Sequence, residues 1–183
     1  MMRIIAGKYK RTPLNTLEGE QITRPTRDMV KEALFSSIMI CSDTEFLDLF
    51  AGSGAIGLEA LSRGAANAVF NDSNRDAVSI IRSNLNKVHE KRIVYQLDYK
   101  DCLKKLKGSR FDYIYCDPPY KFEHYEEIFS AVEENRVLKD DGEIIVEVRK
   151  DRDLEDQIGT LYKFKERRYG INKLLYYKRG ETK

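Results

Sequence analysis

The sequence predicts an α/β fold built on a mostly parallel sheet, and two observations support this prediction. Short apolar runs of strand character alternate with segments whose apolar residues recur at helical spacing. Such alternation is typical of a parallel sheet covered by helices on both faces. In addition, the stretch Asp48 to Gly57, which reads DLFAGSGAIG, places glycines between a strand and a helix. At such a turn the backbone can approach a bound ligand closely.

The predicted elements follow one another in a regular order. Five strands of the parallel sheet are predicted at Glu45 to Leu47, Ala68 to Phe70, Ile93 to Tyr95, Phe111 to Cys116 and Glu143 to Val148. Helices are predicted at Arg27 to Met39 with Thr26 as N-cap, Leu58 to Arg63, Asp101 to Leu106, Tyr125 to Asn135 and Asp151 to Ile158. A further helix, capped by Ser73 or Asn74, has its apolar positions at Ala77, Val78, Ile81 and Leu85. A terminal antiparallel hairpin, Lys163 to Tyr169 and Lys173 to Tyr177, completes a seven-stranded sheet.

Length and composition indicate one globular domain. The chain has 183 residues, of which 42% are hydrophobic and 34% are charged. We expect residues 1–183 to form a single domain, with 1–25 as a basic arm of β structure that leads into the first helix. The three cysteines follow no metal-binding spacing, and no apolar run approaches the length of a membrane span. A cytoplasmic protein without a metal site or membrane association is therefore expected.

Charge is unevenly distributed, although the net charge is only +2. Basic residues collect near both ends of the chain, around a more acidic middle. This pattern favours a polyanionic partner, but ordinary solvated surface would produce it equally well.

Asp48 lies at the end of the first strand, beside the glycine loop. The loop also satisfies the pattern of dinucleotide-binding turns. However, a pyrophosphate would face the Asp48 carboxylate, and like charges at close range repel. A ligand with an ammonium group and a sulfonium would be favoured instead, and S-adenosylmethionine (SAM) carries both. The alternative is that Asp48 only caps the turn.

Acidic residues also follow the next three strands. Ligands bind at the carboxyl ends of the strands in such sheets. Asp72 lies at the spacing from the glycines at which an acid accepts hydrogen bonds from ribose hydroxyls, and Asn71 competes for that role. This spacing fits NAD as well as SAM. Asp98 either accepts from the adenine amino group, with Tyr99 beside it, or caps the next helix; Asp117 opens the sequence DPPY.

The DPPY stretch, Asp117 to Tyr120, has the properties of a stiff acidic loop. Its two prolines fix φ and remove backbone donors. A base could stack on Tyr120 while its exocyclic amino group donates to Asp117 and to the Pro118 carbonyl. A carboxylate fixed there would stabilise the positive charge that the amino nitrogen gains as it attacks a methyl carbon. The alternative is a turn that the prolines merely rigidify.

DLFAGSGAIG followed by DPPY resembles the SAM-binding and catalytic motifs of Rossmann-like amino-methyltransferases. The segments MRIIAGKYKRTPL, TRPTRDMVKEALFSSI and RRYGINKLLYY resemble the bacterial RsmD family, which methylates the exocyclic N2 of a guanine in 16S ribosomal RNA. The resemblance covers nearly the whole chain. It implies a Rossmann-like SAM-dependent methyltransferase fold, SAM as cofactor, and 16S ribosomal RNA or a partly assembled small ribosomal subunit as partner. The sequence does not establish the oligomeric state, although a monomer is favoured.

The resemblance also implies roles for individual residues. The catalytic loop would be Asp117, Pro118, Pro119 and Tyr120. The SAM contacts would be Asp48, Phe50, Ala51, Gly52, Gly54, Asp72, Ser73, Asp98 and Tyr99. The RNA contacts would be Lys8, Lys10, Arg11 and Arg24.

Three other functions fit parts of the sequence. An adenine-N6 methyltransferase acting on DNA or RNA would use the same DPPY chemistry. An NAD-dependent oxidoreductase is disfavoured by Asp48 and by the lack of an obvious acid or base for hydride transfer. A non-catalytic nucleotide-binding module would not need DPPY.

Overall fold

The computed structural model describes residues 2–17 and 24–180, the first four of the second range by their backbone only. The strands are β1 (Met2–Arg3), β2 (Pro13–Leu14), β3 (Glu45–Asp48), β4 (Asn67–Asn71), β5 (Val94–Tyr95), β6 (Phe111–Cys116), β7 (Leu138–Arg149), β8 (Gln157–Ile158), β9 (Leu161–Tyr169) and β10 (Asn172–Arg179). The helices are α1 (Arg24–Phe35), α2 (Ala55–Ser62), α3 (Arg75–Lys87), α4 (Tyr99–Lys105) and α5 (Tyr125–Asn135).

The central sheet has the strand order β5-β4-β3-β6-β7-β10-β9-β8. Neighbours from β5 to β7 pair in parallel, and β10, β9 and β8 add antiparallel pairings. The predicted α/β class, with a mostly parallel sheet and a terminal hairpin, is confirmed. The sheet has eight strands instead of seven because the short strand β8 joins its edge.

Helices cover both faces of this sheet, as its apolar strands require. One buried cluster, which includes Ile114 and Val146, packs beneath α4 and α5. The other, which includes Phe46 and Ile145, packs beneath α1, α2 and α3. Successive residues of β7 therefore face opposite layers. Odd-numbered residues such as Ile145 face the layer of α1, α2 and α3, and even-numbered residues such as Val146 face the layer of α4 and α5.

Helix α1 begins earlier than predicted, at Arg24, and ends at Phe35, before the predicted Met39. Pro25 lies in its first turn, where the missing N–H of proline leaves no hydrogen bond unmade. The prediction of Thr26 as the N-cap is therefore wrong.

The helix predicted for Asp151 to Ile158 is also wrong. The segment turns and then forms β8. Its backbone carbonyls are bound by side chains of the hairpin: Lys163 Nζ donates to the Leu154 oxygen at 3.1 Å, and the Tyr177 hydroxyl donates to the Glu155 oxygen at 2.9 Å. These bonds replace the backbone N–H donors that a helix would have supplied.

The amino-terminal segment is fixed along α2 by one buried carboxylate. Glu59 is fully buried and accepts from the backbone nitrogens of Ile5 and Ala6 at 2.8 and 2.9 Å. It also forms ion pairs with Arg63 at 3.0 Å and Lys31 at 4.0 Å. Because each oxygen is matched to donors, the carboxylate stabilises the contact in spite of its burial.

Within the described ranges, no helix is long and apolar enough to cross a bilayer. The same residues contain no group of three or more His, Cys, Asp or Glu side chains that could hold a metal ion.

We expect Glu59→Ala to lower the free energy of unfolding by about 3 kcal/mol or more, because it leaves two backbone N–H groups without their acceptor and removes an ion-pair partner from Arg63 and from the buried Lys31. Urea titration followed by circular dichroism measures this change. Glu32→Ala, on the exposed side of α1, is the matched control and should change it by less than about 0.5 kcal/mol. Equal effects of the two variants would contradict the anchoring role of Glu59.

Candidate active site

The four predicted acids meet at one edge of the sheet. Asp48 ends β3, Asp72 follows β4, Asp98 precedes α4 after β5, and Asp117 follows β6. Since these strands are parallel neighbours, their carboxyl ends lie side by side. The predicted clustering of these residues is confirmed.

The glycine loop is held by hydrogen bonds from its own backbone to two of these carboxylates. Gly52 N donates to Asp72 Oδ2 at 2.8 Å, and Gly57 N donates to Asp48 Oδ2 at 3.0 Å. Gly52 and Gly54 have φ values of 53° and 76°, which residues with a Cβ rarely adopt. The loop therefore keeps a shape that brings its backbone to the strand ends.

Asp48 is an unusual acid because it is almost completely enclosed, with only 1% of its surface exposed. Burial raises the pKa of its carboxyl from the ordinary 3.8 to about 7; the Gly57 N–H opposes this rise, and the nearby Asp72 carboxylate adds to it. A cation placed beside this carboxyl would restore its charged form. The site thus favours a positively charged ligand group over a phosphate.

Asn71 and Asp72 have different surroundings, which separate the two candidates for the ribose. Asn71 is buried, and its amide nitrogen donates to the carbonyls of Leu49 and Leu97, both at 3.1 Å. Asp72 is partly exposed and accepts from the Gly52 and Asn74 nitrogens, each at 2.8 Å. Each oxygen of Asp72 retains capacity for a second donor, so the geometry favours Asp72. Ser73, the next residue, is exposed.

Asp98 caps α4, as the alternative interpretation expected. Its carboxylate accepts from Lys100 N at 2.9 Å. The side chain is exposed, so one capping bond leaves room for a ligand contact. Tyr99, the neighbouring residue, is also a predicted SAM contact. It is buried, and its hydroxyl donates to Glu127 Oε2 at 3.2 Å.

Aromatic rings connect the glycine loop to the DPPY loop. Phe122 packs against Phe50 and Tyr99, with ring centroids 5.8 and 5.6 Å away, and against Tyr125 at 5.2 Å. Phe50 belongs to the predicted cofactor contacts, as does its neighbour Ala51, which is buried in the same turn. Phe122 was not predicted. Its packing fixes the distance between the two loops.

The DPPY loop presents its tyrosine to solvent. Pro118 is buried, whereas Asp117 and Pro119 are exposed. Phe122 N donates to the Pro119 carbonyl at 2.7 Å, which closes a turn after the prolines. Tyr120 is 73% exposed, and Arg149 lies over its ring at 5.3 Å while donating to its hydroxyl at 2.9 Å. The predicted stacking surface is therefore accessible and already ordered.

A cavity of about 120 Å³ opens between the two loops. Its wall includes Asp48, Phe50 and Ala51 from the glycine loop and Asp117 from the DPPY loop. It also includes residues that sequence reasoning missed: Met2, Lys31, Tyr115, Glu147 and Asn172. The one sequence signal for them was Glu147, an acid inside the apolar run EIIVEV. Its neighbours in the cavity depend on strand order, which the sequence does not state.

The turn of the basic arm at residues 8–11 lies away from this cavity, although Met2 of the same arm lines it. Lys8 N donates to the Ser62 carbonyl at the end of α2, and Lys8 Nζ pairs with Glu90 at 3.0 Å. Both partners precede the next strand of the sheet, so this part of the arm lies at the amino ends of the strands. Lys10 and Arg11 are exposed in the same turn. The structure therefore does not place them beside Asp117, and the Arg24 side chain lies outside the described residues.

Comparisons with known proteins agree with this geometry. The model of the family described as "Conserved hypothetical protein 95" matches residues 2–178. The chain belongs to this family. The Bacillus subtilis protein YlbH is 34% identical over 183 residues, which cover 97% of this chain and 99% of that protein. "Ribosomal RNA small subunit methyltransferase D" of Haemophilus influenzae is 37% identical over 158 residues, covering 84% of this chain and 81% of the relative.

A solved structure agrees with the sequence matches. The structure of the Escherichia coli protein yhhF superposes with a TM-score of 0.82 at 31% identity, covering 97% of each chain. The resemblance to the RsmD family and the predicted methyltransferase fold are thereby confirmed.

Asp48 makes the stability of the ligand-free protein depend on pH. Its carboxyl holds a proton more tightly in the folded chain than in the unfolded chain, so rising pH destabilises the fold between about 4 and about 7. Asp48→Asn should therefore raise the melting temperature at pH 8 and change it less at pH 5. Differential scanning calorimetry at both pH values measures this difference. Asp43→Asn, at an exposed position before β3, is the control, and a pH-independent effect of Asp48→Asn would contradict the argument.

Proposed function

We propose that this chain transfers a methyl group from SAM to the exocyclic N2 amino group of a guanine in 16S ribosomal RNA. The observation that carries the proposal is the shared cavity, in which Asp48 of the glycine loop and Asp117 of the DPPY loop line one wall. The printed name of the Haemophilus influenzae relative, a small-subunit ribosomal RNA methyltransferase, supports the class of substrate. The chain acts as a single methyltransferase domain in this proposal, with residues 1–25 as its appendage.

The residues around the glycine loop fit SAM. The enclosed Asp48 carboxyl, whose pKa burial raises to about 7, suits a cationic group beside it. Gly52 and Gly54 give close access to the loop backbone. Asp72 offers carboxylate oxygens for the ribose hydroxyls, and Asp98 offers one for the adenine amino group. When bound, SAM supplies an electrophilic methyl group on its sulfonium.

The DPPY loop holds and activates the amino group. Asp117 and the Pro118 carbonyl each accept a hydrogen bond from the amino group, and Tyr120 stacks on the base. As the amino nitrogen bonds to the methyl carbon, the carbon–sulfur bond would break and the neutral thioether would leave. The nitrogen becomes positive, and the Asp117 carboxylate stabilises that charge without reorganising until the extra proton is lost to solvent. The rest of the acceleration comes from alignment of the reacting groups by two loops whose separation Phe122 fixes.

The buried position of Asp48 disfavours the oxidoreductase alternative. A pyrophosphate beside this carboxyl would raise its pKa further and hold it in the neutral form, so no charge attraction would be gained, whereas a cationic group would be attracted to the ionised form. Adenine-N6 methylation would use the same DPPY loop. The two methyltransferase functions differ in the donors and acceptors on the edge of the base that the cavity must recognise.

We expect Asp117→Ala to lower methyl transfer to ribosomal RNA by about 100-fold or more, because the developing positive charge loses its fixed partner. Binding of SAM should be retained. Transfer of a labelled methyl group measures the first quantity, and calorimetry with SAM measures the second. Asp141→Ala, at an exposed position of β7, is the control. Full activity of Asp117→Ala would refute the mechanism.

Lys10 tests the RNA role of the arm. Lys10→Ala should weaken RNA binding and reduce the slope of log K against log salt by about one, because one phosphate contact is lost. Lys8 is less suitable because it pairs with Glu90. The control is Lys107→Ala, an exposed residue before β6. If both variants have the slope of the wild type, the turn of the arm at Lys10 is not an RNA contact.

A further inference from the structure

Glu147 is a buried acid that the mechanism above does not use. It lies in β7 within an apolar run and is 8% exposed. It has the same parity in β7 as Ile145, whose side chain packs in the layer of α1 and α2. A carboxyl in such a strand costs free energy unless donors surround it. The Glu147 carboxyl therefore needs hydrogen-bond donors close to it.

The structure supplies two donors to this carboxyl. The Tyr115 hydroxyl from β6 donates to Glu147 Oε2, and Asn172 Nδ2 from β10 donates to Oε1 at 2.7 Å. These bonds come from the strands on either side of β7. They fix the orientation of the carboxyl group. The buried Tyr169 hydroxyl also lies close enough to interact with Glu147. A carboxylate accepts about four hydrogen bonds, so the group keeps capacity for one further donor.

Glu147 can accept this further hydrogen bond beside the proposed reaction centre. Glu147, Tyr115 and Asn172 line the same cavity as Asp48 and Asp117. The Tyr115 hydroxyl lies near both acids of the acceptor side: burial raises its pKa first, and the Glu147 and Asp117 carboxylates raise it further. An incoming base would therefore meet two carboxylates, Asp117 at the loop and Glu147 deeper in the wall.

We infer that Glu147 is the specificity-determining residue for the base and accepts a hydrogen bond from N1–H of guanine, while Asp117 holds the neighbouring N2 amino group. This inference rests on the proposed guanine-N2 activity. It explains why the cavity carries a second, oriented acid where methyl transfer to an amine needs only one.

The hydrogen-bonding edge of each base determines whether this site accepts guanine or adenine. Guanine presents two adjacent donors, N1–H and the N2 amino group, which match two neighbouring carboxylates. Adenine presents an unprotonated N1 next to its amino group. That nitrogen would face the buried Glu147 carboxylate as acceptor against acceptor. A site built for a donor strongly rejects an analogue that lacks it.

An RNA substrate with 2-aminopurine at the target position tests this contact, and comparison with Glu147→Gln separates it from the loss of the O6 carbonyl, which both variants of the protein meet equally. This base keeps the reactive 2-amino group but has an unprotonated N1. Wild-type protein should methylate guanine RNA with a kcat/KM at least about tenfold higher than that for 2-aminopurine RNA. In Glu147→Gln the amide N–H can donate to N1 of 2-aminopurine, so the ratio should fall by about tenfold or more.

The ratio of kcat/KM for guanine RNA to that for 2-aminopurine RNA distinguishes base recognition by Glu147 from a purely structural role. Loss of a structural role would lower kcat/KM for both RNAs by the same factor. Glu143→Gln, also partly buried in β7 and of the same parity, is the matched control and should keep the wild-type ratio. An unchanged ratio in Glu147→Gln, with guanine still methylated by the wild type, would overturn the inference and leave the proposed function intact. Absence of guanine-N2 methylation by the wild type would overturn the proposed function itself. If Glu147→Gln does not fold, a wild-type ratio near one would overturn the inference.

Discussion

Two backbone-to-carboxylate contacts hold the part of the molecule on which the site depends. Gly57 N and Gly52 N donate to Asp48 and Asp72, which end neighbouring strands. The loop between them therefore cannot shift without breaking a bond to the sheet. Burial of Asp48 makes this arrangement costly in the absence of a cation, because the pKa of its carboxyl rises to about 7. Stability and ligand preference thus arise from the same buried group.

Strand order then assembles the remaining groups. Because β6 lies next to β3, the DPPY loop emerges beside the glycine loop even though two strands and three helices separate β3 from β6 in sequence. Next across the sheet, β7 and β10 add Glu147 and Asn172 to the same cavity. The cofactor side and the acceptor side are therefore neighbouring positions along one row of strand ends.

Local patterns in the sequence predicted much of this arrangement. The strand Phe111 to Cys116 and the helix Tyr125 to Asn135 have the predicted bounds because local periodicity determines them. The segment Asp151 to Ile158 did not form its predicted helix because distant side chains bind its carbonyls. Glu147 and its partner Asn172 come from strands that only the folded topology makes neighbours. The acids within the glycine-loop and DPPY motifs were predictable from the sequence, whereas the role of Glu147, which lies outside both motifs, was not.

The packing of Phe122 against Phe50 has a consequence for the order of events at the site. The two rings, with centroids 5.8 Å apart, join the loops that the proposed function assigns to different ligands. A ligand that stiffens one loop reduces the freedom that the other loop still has to lose. Occupancy on the two sides is then thermodynamically linked, and each ligand must strengthen the binding of the other by the same factor.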